Sequence, residues 1–223
     1  MKLFSSDWHI GHPRANYDAI TKFLRLAKDA EELYLLGDTF ELIWATPEGV
    51  AQEHQRWVTW LDSFGDRLKL YSGNHDPGAK LKTLFPGREI IATMTLDGWL
   101  LCHGDMFDLS IKALNTLAGR LYRYLPYLRD RLLTPFQEKV GERESFNLHI
   151  GQIMGTVFRY CERVYIAELT PPRVGNLKGV IFGHTHYPLD ATNLSHRIIN
   201  TGDMVDSLSY CIMENGRLEL RKL

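Results

Sequence analysis

The chain has 223 residues and a mass of 25.7 kDa, enough to bury about 70% of its unfolded surface, so one large domain, or one domain with an insertion, needs no disulfide or structural-metal support. Hydrophobic residues at 44% against charged residues at 24% exclude a disordered chain. A net charge of −1 removes any global electrostatic case for nucleic acid or membrane, leaving only a local patch. Met1 runs directly into a predicted short strand over 2–6, so no signal peptide is expected, and no apolar run approaches the roughly 18 residues of a membrane span. Cys102, Cys161 and Cys211 are far apart and form no C-x-x-C pair. This excludes a disulfide framework and a cysteine-based zinc site and predicts a reducing compartment, so a cytoplasmic protein is expected.

A helix is predicted over 14–29 from the apolar spacing of Ala15, Ala19, Phe23, Leu26 and Ala30. Strands follow at 32–36 and 67–71, separated by residues 48–64, where Val50, Trp57, Val58, Trp60 and Leu61 recur at near-helical spacing. There Trp57 and Trp60 read as helix core. This β-α-β-α-β alternation predicts crossover units in an α/β sheet. Residues 88–103 read as two strands around the Asp97-Gly98 turn. The interval 108–172 has almost no strand pattern and is broken at Pro126, Pro135, Gly141 and Pro171-Pro172, which predicts a helical insertion. Strands at 178–182, 197–201, 207–213 and 217–222 then succeed one another as a meander, with Asn215-Gly216 marking a hairpin. Two sheets face to face with helices outside, in a single domain over 1–223, fit this order.

Five of these apolar runs end in metal-binding side chains. They are Ser6-Asp7-Trp8-His9, Leu36-Gly37-Asp38, Gly73-Asn74-His75-Asp76, Cys102-His103-Gly104-Asp105 and Phe182-Gly183-His184-Thr185-His186. Side chains alternate faces along a strand, so Asp7 and His9 are expected to point one way, and so are His184 and His186. The carboxyl edge of such a sheet is where α/β proteins place ligands. Glycines before Asp38, Asn74 and His184 suit a sharp exit and close backbone approach. Imidazole, carboxylate and amide without thiolate suit manganese, iron, zinc or cobalt. Two carboxylates, four histidines and an asparagine exceed one tetrahedral site and fit two metals sharing a bridge.

Taken in order, D-x-H, G-D, G-N-H-D, H and G-H-x-H resemble the calcineurin-like metallophosphoesterases, and the blocks span residues 7 to 186. The resemblance implies a four-layer α/β/β/α sandwich. It implies one metal on Asp7, His9, Asp38 and His186, and a second on the bridging Asp38 with Asn74, His103 and His184. His75 would act as acid or phosphate stabiliser, with Asp76 orienting it. The implied reaction is hydrolysis of a phosphoester or pyrophosphate by in-line attack of a metal-bridging hydroxide, with two divalent ions, manganese first and iron, zinc or cobalt as alternatives.

A narrower likeness lies in Gly37-Asp38-Thr39-Phe40-Glu41 followed by Trp44, in His103-Gly104-Asp105 and in Gly183-His184-Thr185-His186-Tyr187-Pro188. These blocks are similar to the UDP-2,3-diacylglucosamine hydrolases, which cleave the pyrophosphate of a lipid-bearing nucleotide sugar. Those hydrolases typically carry G-N-R-D, whereas this chain has His75 in that block. The ending Asn200-Thr201-Gly202-Asp203 resembles relatives outside that pathway. The insertion interleaves Lys112, Arg120, Arg123, Arg129 and Arg131 with leucines and tyrosines. That pattern suits either a helical hairpin with solvated arginines or a lid for acyl chains and phosphates, with peripheral contact at the inner membrane face. The expected partner is a small-molecule phosphoester or nucleotide sugar. A soluble nucleotide or phosphoprotein substrate, a nuclease and a non-catalytic scaffold are the alternatives. No nucleic acid is expected and no protein partner is evident. His12, His54, His149 and His196 carry no motif.

Overall fold

The computed structural model describes residues 1–107, 177–193 and 196–223. All of these but residues 105–107 belong to the compact unit formed by Met1–Gly104 and Val174–Leu223. The insertion expected over 108–172 lies outside the described residues. Strand β1 (Lys2–Ser5) leads to helix α1 (Tyr17–Ala27), then β2 (Glu32–Leu35), α2 (Pro47–Glu53), α3 (Gln55–Asp62) and β3 (Leu68–Tyr71). After α4 (Gly78–Leu84) come β4 (Ile90–Ile91), β5 (Thr93–Leu96) and β6 (Trp99–Cys102). The chain continues through β7 (Gly179–Phe182), β8 (Leu189–Asn193), β9 (His196–Asn200), β10 (Ser209–Glu214) and β11 (Arg217–Lys222). Among the described residues no helix is long and apolar enough to cross a membrane.

Two mixed sheets result. One has the order β11-β10-β1-β2-β3-β4 and the other β5-β6-β7-β9-β8. Strands β1, β2 and β3 are mutually parallel, and so are β6, β7 and β9. Every second residue of the first sheet faces a different layer, as the strand period requires. Leu3, Leu33, Leu35, Leu68, Leu70 and Ile212 pack with α1, α3 and α4. Their neighbours Phe4, Tyr34, Tyr71, Cys211 and Met213 pack instead against Leu101, Ile181 and Ile199 of the second sheet. This is the expected α/β arrangement of two sheets with helices outside. Among the described residues the helices pack on the first sheet.

Helix α1 starts where Asn16 accepts a 3.0 Å bond from the Ala19 N–H, an ordinary N-cap. Its buried stripe is Ala19, Ile20, Phe23, Leu24 and Ala27, while Leu26 is exposed. The near-helical stretch 48–64 is two helices broken at His54, the first opened by Pro47 and capped by Thr46. Trp57 is buried and stacks on Trp60, which packs partly buried against the core.

Two features differ from the sequence reading. Residues 88–103 form three strands, because β4 adds to the first sheet beside β3 before β5 opens the second. The C-terminal strands are no simple meander: β7 and β9 pair in parallel with β8 outside them, while the β10–β11 hairpin returns to the first sheet beside β1. Alternation within each strand was visible, but partner choice depends on which buried face each strand meets.

Candidate metal centre

The parallel strands β1, β2 and β3 of one sheet and β6 and β7 of the other all lead into the loops that carry the candidate ligands. After β1 the chain stays attached to the segment after β2. Asp7 N–H donates to Gly37 O at 3.1 Å, and Trp8 and His9 N–H donate to Asp38 O at 2.9 and 3.0 Å. His184 N–H donates to Asp7 Oδ2 at 2.8 Å, and His75 N–H to Asp38 Oδ1 at 2.7 Å. Backbone groups of one loop thus orient the carboxylate of another.

The alternation argument for Asp7/His9 and His184/His186 does not hold. Strands β1 and β7 end at Ser5 and Phe182, and the four side chains converge through left-handed backbone instead. Asp7, His9, Asp38, His184 and His186 have φ of 55°, 50°, 52°, 72° and 58°. Such angles are uncommon outside glycine, and local strain of this kind gathers at functional sites. The close approach expected of the glycines is present. A Cβ on Gly73 would stand 2.2 Å from Asp38 Oδ1, and one on Gly183 would stand 2.4 Å from Asp7 Oδ2.

Two clusters of candidate ligands form, and Asp38 belongs to the second while also grouping with His9 of the first. In one, His186 Nε2 lies 3.2 Å from His9 Nε2 and 3.3 Å from Asp7 Oδ1, which is 3.9 Å from His9 Nε2. In the other, His103 Nε2 lies 3.0 Å from Asn74 Oδ1 and 3.3 Å from Asp38 Oδ2, with His184 completing the group. Asp38 also groups with His9 and His75. The imidazoles are anchored through their other nitrogens. His103 Nδ1 donates to Leu36 O at 2.8 Å, His9 Nδ1 lies 3.5 Å from Glu41 Oε2, and His186 Nδ1 lies 3.4 Å from Asp203 Oδ2.

In the neutral rings Nδ1 then carries the proton, and each Nε2 turns its lone pair toward the other donors of its cluster. Asp7 Oδ1 is fully buried with no hydrogen-bond partner, an expensive state for a carboxylate oxygen unless a cation completes it. The donor set therefore fits divalent metal ions. The same conclusion comes from the family model of the calcineurin-like phosphoesterases, which matches residues 3–188.

The chain belongs to the calcineurin-like phosphoesterases. Its family places it among hydrolases acting on phosphoester bonds. No curated protein matches it in sequence. Yfce, a phosphoesterase from E. coli, has an 18% identical chain that superposes with a TM-score of 0.51, covering 97% of this chain and 90% of that one. An archaeal phosphodiesterase is 14% identical with a TM-score of 0.47, covering 100% and 99% of the two chains. A metallophosphoesterase from Sphaerobacter thermophilus is 15% identical with a TM-score of 0.45, covering 100% and 87%. Identities this low speak to fold alone.

The candidate metal centre also holds two acids that sequence reasoning missed. His75 Nδ1 lies 2.7 Å from Glu41 Oε2, so Glu41 takes the orienting part expected of Asp76. The Asp76 carboxylate instead accepts the backbone N–H groups of Asp38, Thr39, Phe40 and Gly73 at 2.7–3.2 Å. It ties the loop after β2 to the loop after β3. Asp203 faces His186. Only the block positions Gly37-Asp38-Thr39-Phe40-Glu41 and Asn200-Thr201-Gly202-Asp203 hinted at either acid. Of the histidines without a motif, His12 has its ring centroid 6.3 Å from that of His9; His149 lies outside the described residues.

Charge among these side chains is mutually stabilised. Burial opposes ionisation of Asp7, but His186, His103 and His9 outweigh it and hold this carboxyl well below the usual range. Burial likewise opposes charging of His186, yet Asp7 and Asp203 push it up to about 11. Glu41 is driven down to about 2 against burial by His75 and His9, and His75 is raised against burial by Glu41 and Asp38. Burial and the neighbouring Asp38 charge raise Asp76, with its backbone donors opposing them. A pocket that holds this many carboxylates charged is built for cations.

Proposed function

We propose that this phosphoesterase hydrolyses a phosphoester or pyrophosphate with two divalent cations, one held by Asp7, His9, Asp38 and His186 and the other by Asp38, Asn74, His103 and His184. The supporting observation is the pair of clusters with Asp38 beside both, of which Asp7 Oδ1, buried with no hydrogen bond and facing two imidazoles, is the clearest sign. When bound, such ions supply Lewis acidity, lowering the pKa of a nucleophilic water and neutralising charge on phosphoryl oxygens. The side chains supply position and protons. Glu41 holds the His75 ring by Nδ1, which leaves Nε2 to donate a proton to the leaving oxygen. Glu41 and Asp38 favour the charged ring that such a donor requires. Asp76 keeps the Asp38 loop registered on the Asn74–His75 loop.

Asp38→Ala removes the shared carboxylate, so it should lose at least one manganese ion and nearly all turnover of a simple phosphodiester. Wild-type protein that retains one ion or none after reconstitution with manganese would remove the dinuclear reading.

The substrate reading is a nucleotide sugar with an apolar portion, of the UDP-diacylglucosamine kind. It rests on the motif likeness and is supported by Ile43 and Trp44, 40% and 60% exposed on the loop that follows Asp38 and Glu41. Leu42 N–H donates to His75 O at 3.0 Å, which keeps that loop against the proposed proton donor. Apolar groups so placed favour a substrate with apolar surface beside its phosphates. KM should then be much lower for an acylated headgroup than for the bare one. About four buried methylenes, at up to about 0.8 kcal/mol each, correspond to about a hundredfold. Equal KM values would redirect the assignment to a soluble nucleotide or phosphoprotein.

A further inference from the structure

We propose that Asp203 is the positioning residue that fixes the tautomer of His186 and so leaves Nε2 free to bind a metal; the inference rests on the dinuclear reading above. A neutral imidazole carries one N–H, and the partner of one nitrogen decides which of the two bears it. Asp203 Oδ2 lies 3.4 Å from His186 Nδ1. As a carboxylate it only accepts, so it draws the proton to Nδ1 and turns the Nε2 lone pair toward Asp7 and His9. Asp203 is 1% exposed, and its other oxygen accepts the N–H groups of Val205, Asp206 and Ser207 at 2.8, 2.6 and 3.0 Å. The carboxylate is therefore held on one side by a turn and offers its second oxygen to the ring. Glu41 stands in the same relation to His9, and the Leu36 carbonyl to His103.

The turn makes a sharp test available. In Asp203→Asn the three backbone N–H groups still require an oxygen, so the amide oxygen stays on their side and the NH2 group faces His186. That group only donates. His186 must then place its lone pair on Nδ1 and its proton on Nε2, where the ion would bind. A flipped amide would set its NH2 against three N–H donors, which is worse. The variant keeps its turn contacts, so its circular dichroism should be unchanged.

Titration with Mn2+ should show one ion bound as in wild type and the other about 10- to 100-fold more weakly. In protein loaded with Zn2+, long-range nitrogen-15 NMR should place the His186 proton on Nδ1 in wild type and on Nε2 in the variant. Two ions bound with wild-type affinity, or a proton kept on Nδ1 in the variant, would overturn the assignment. If the variant does not fold, the wild-type spectrum still decides, since a proton on Nε2 there contradicts the role. Wild-type protein that binds no pair of ions fails earlier and removes the dinuclear reading itself.

Discussion

On the proposed mechanism His75 and Glu41 form one unit, because a ring held at 2.7 Å by a buried carboxylate presents its far nitrogen in one direction. His75→Ala should keep both metals and slow hydrolysis by about 10²–10⁴, the usual worth of a positioned acid or base. Glu41→Gln should slow it through the same ring, so the double variant should be little slower than the slower single variant. Metal analysis and turnover of the three proteins check this; loss of an ion in His75→Ala would make His75 a ligand. His186 gives a pH signature. Asp7 and Asp203 overcome burial and push its pKa from 6.5 up to about 11, so the stabilisation it contributes is complete below pH 6.5 and fades as pH climbs through 11. A metal needs the neutral ring and must displace that proton. At pH 8, calorimetry in buffers of different ionisation heat should therefore show proton release on metal binding, and affinity should increase with pH. Binding without proton release would contradict the charged ring.

At the scale of elements, short strands aim the ligands less than the loops that leave them do. Five of the proposed ligands have positive φ and store strain that the packed loops must hold, and Gly73 and Gly183 allow those loops to touch the carboxylates of Asp38 and Asp7. In Gly183→Ala the new methyl would meet Ser6 Oγ at 2.1 Å as well as Asp7 Oδ2. The loop must then shift, at a cost of about 1–3 kcal/mol, and move Asp7 away from His186. Denaturant melts and metal analysis should show a destabilised fold that has lost at least one ion. Wild-type metal content would mean that the approach is not required.

On the scale of the whole unit, the core between the sheets holds the two halves of the centre in register. Asp7, Asp38 and Asn74 follow strands of one sheet, and His103, His184 and His186 follow strands of the other. Ile199 is fully buried between them, on the same side as Leu101 and Ile181. Ile199→Ala should cost about 2–5 kcal/mol in urea denaturation. It lies on the strand before Asp203, so it should also weaken metal binding in protein that is still folded. An unchanged metal affinity would show that the loops hold their geometry without the core.

The sequence by itself determined what depends on local chemistry. The five blocks and the ends of apolar runs named the seven proposed ligands and His75, because ligand type and strand termination are written in adjacent residues. Periodicity likewise marked two sheets with helices outside. It could not sort the C-terminal strands, since β7 and β10 read alike until their partners are known. Nor could it choose Glu41 and Asp203 from 27 acidic residues. Only the tertiary structure decided those, and it decided the left-handed turns at Asp7, His9, His184 and His186. The reason is physical. An acceptor reaches the second nitrogen of a histidine only when sheet packing brings together segments far apart in the chain, and spacing along one segment carries no record of that meeting.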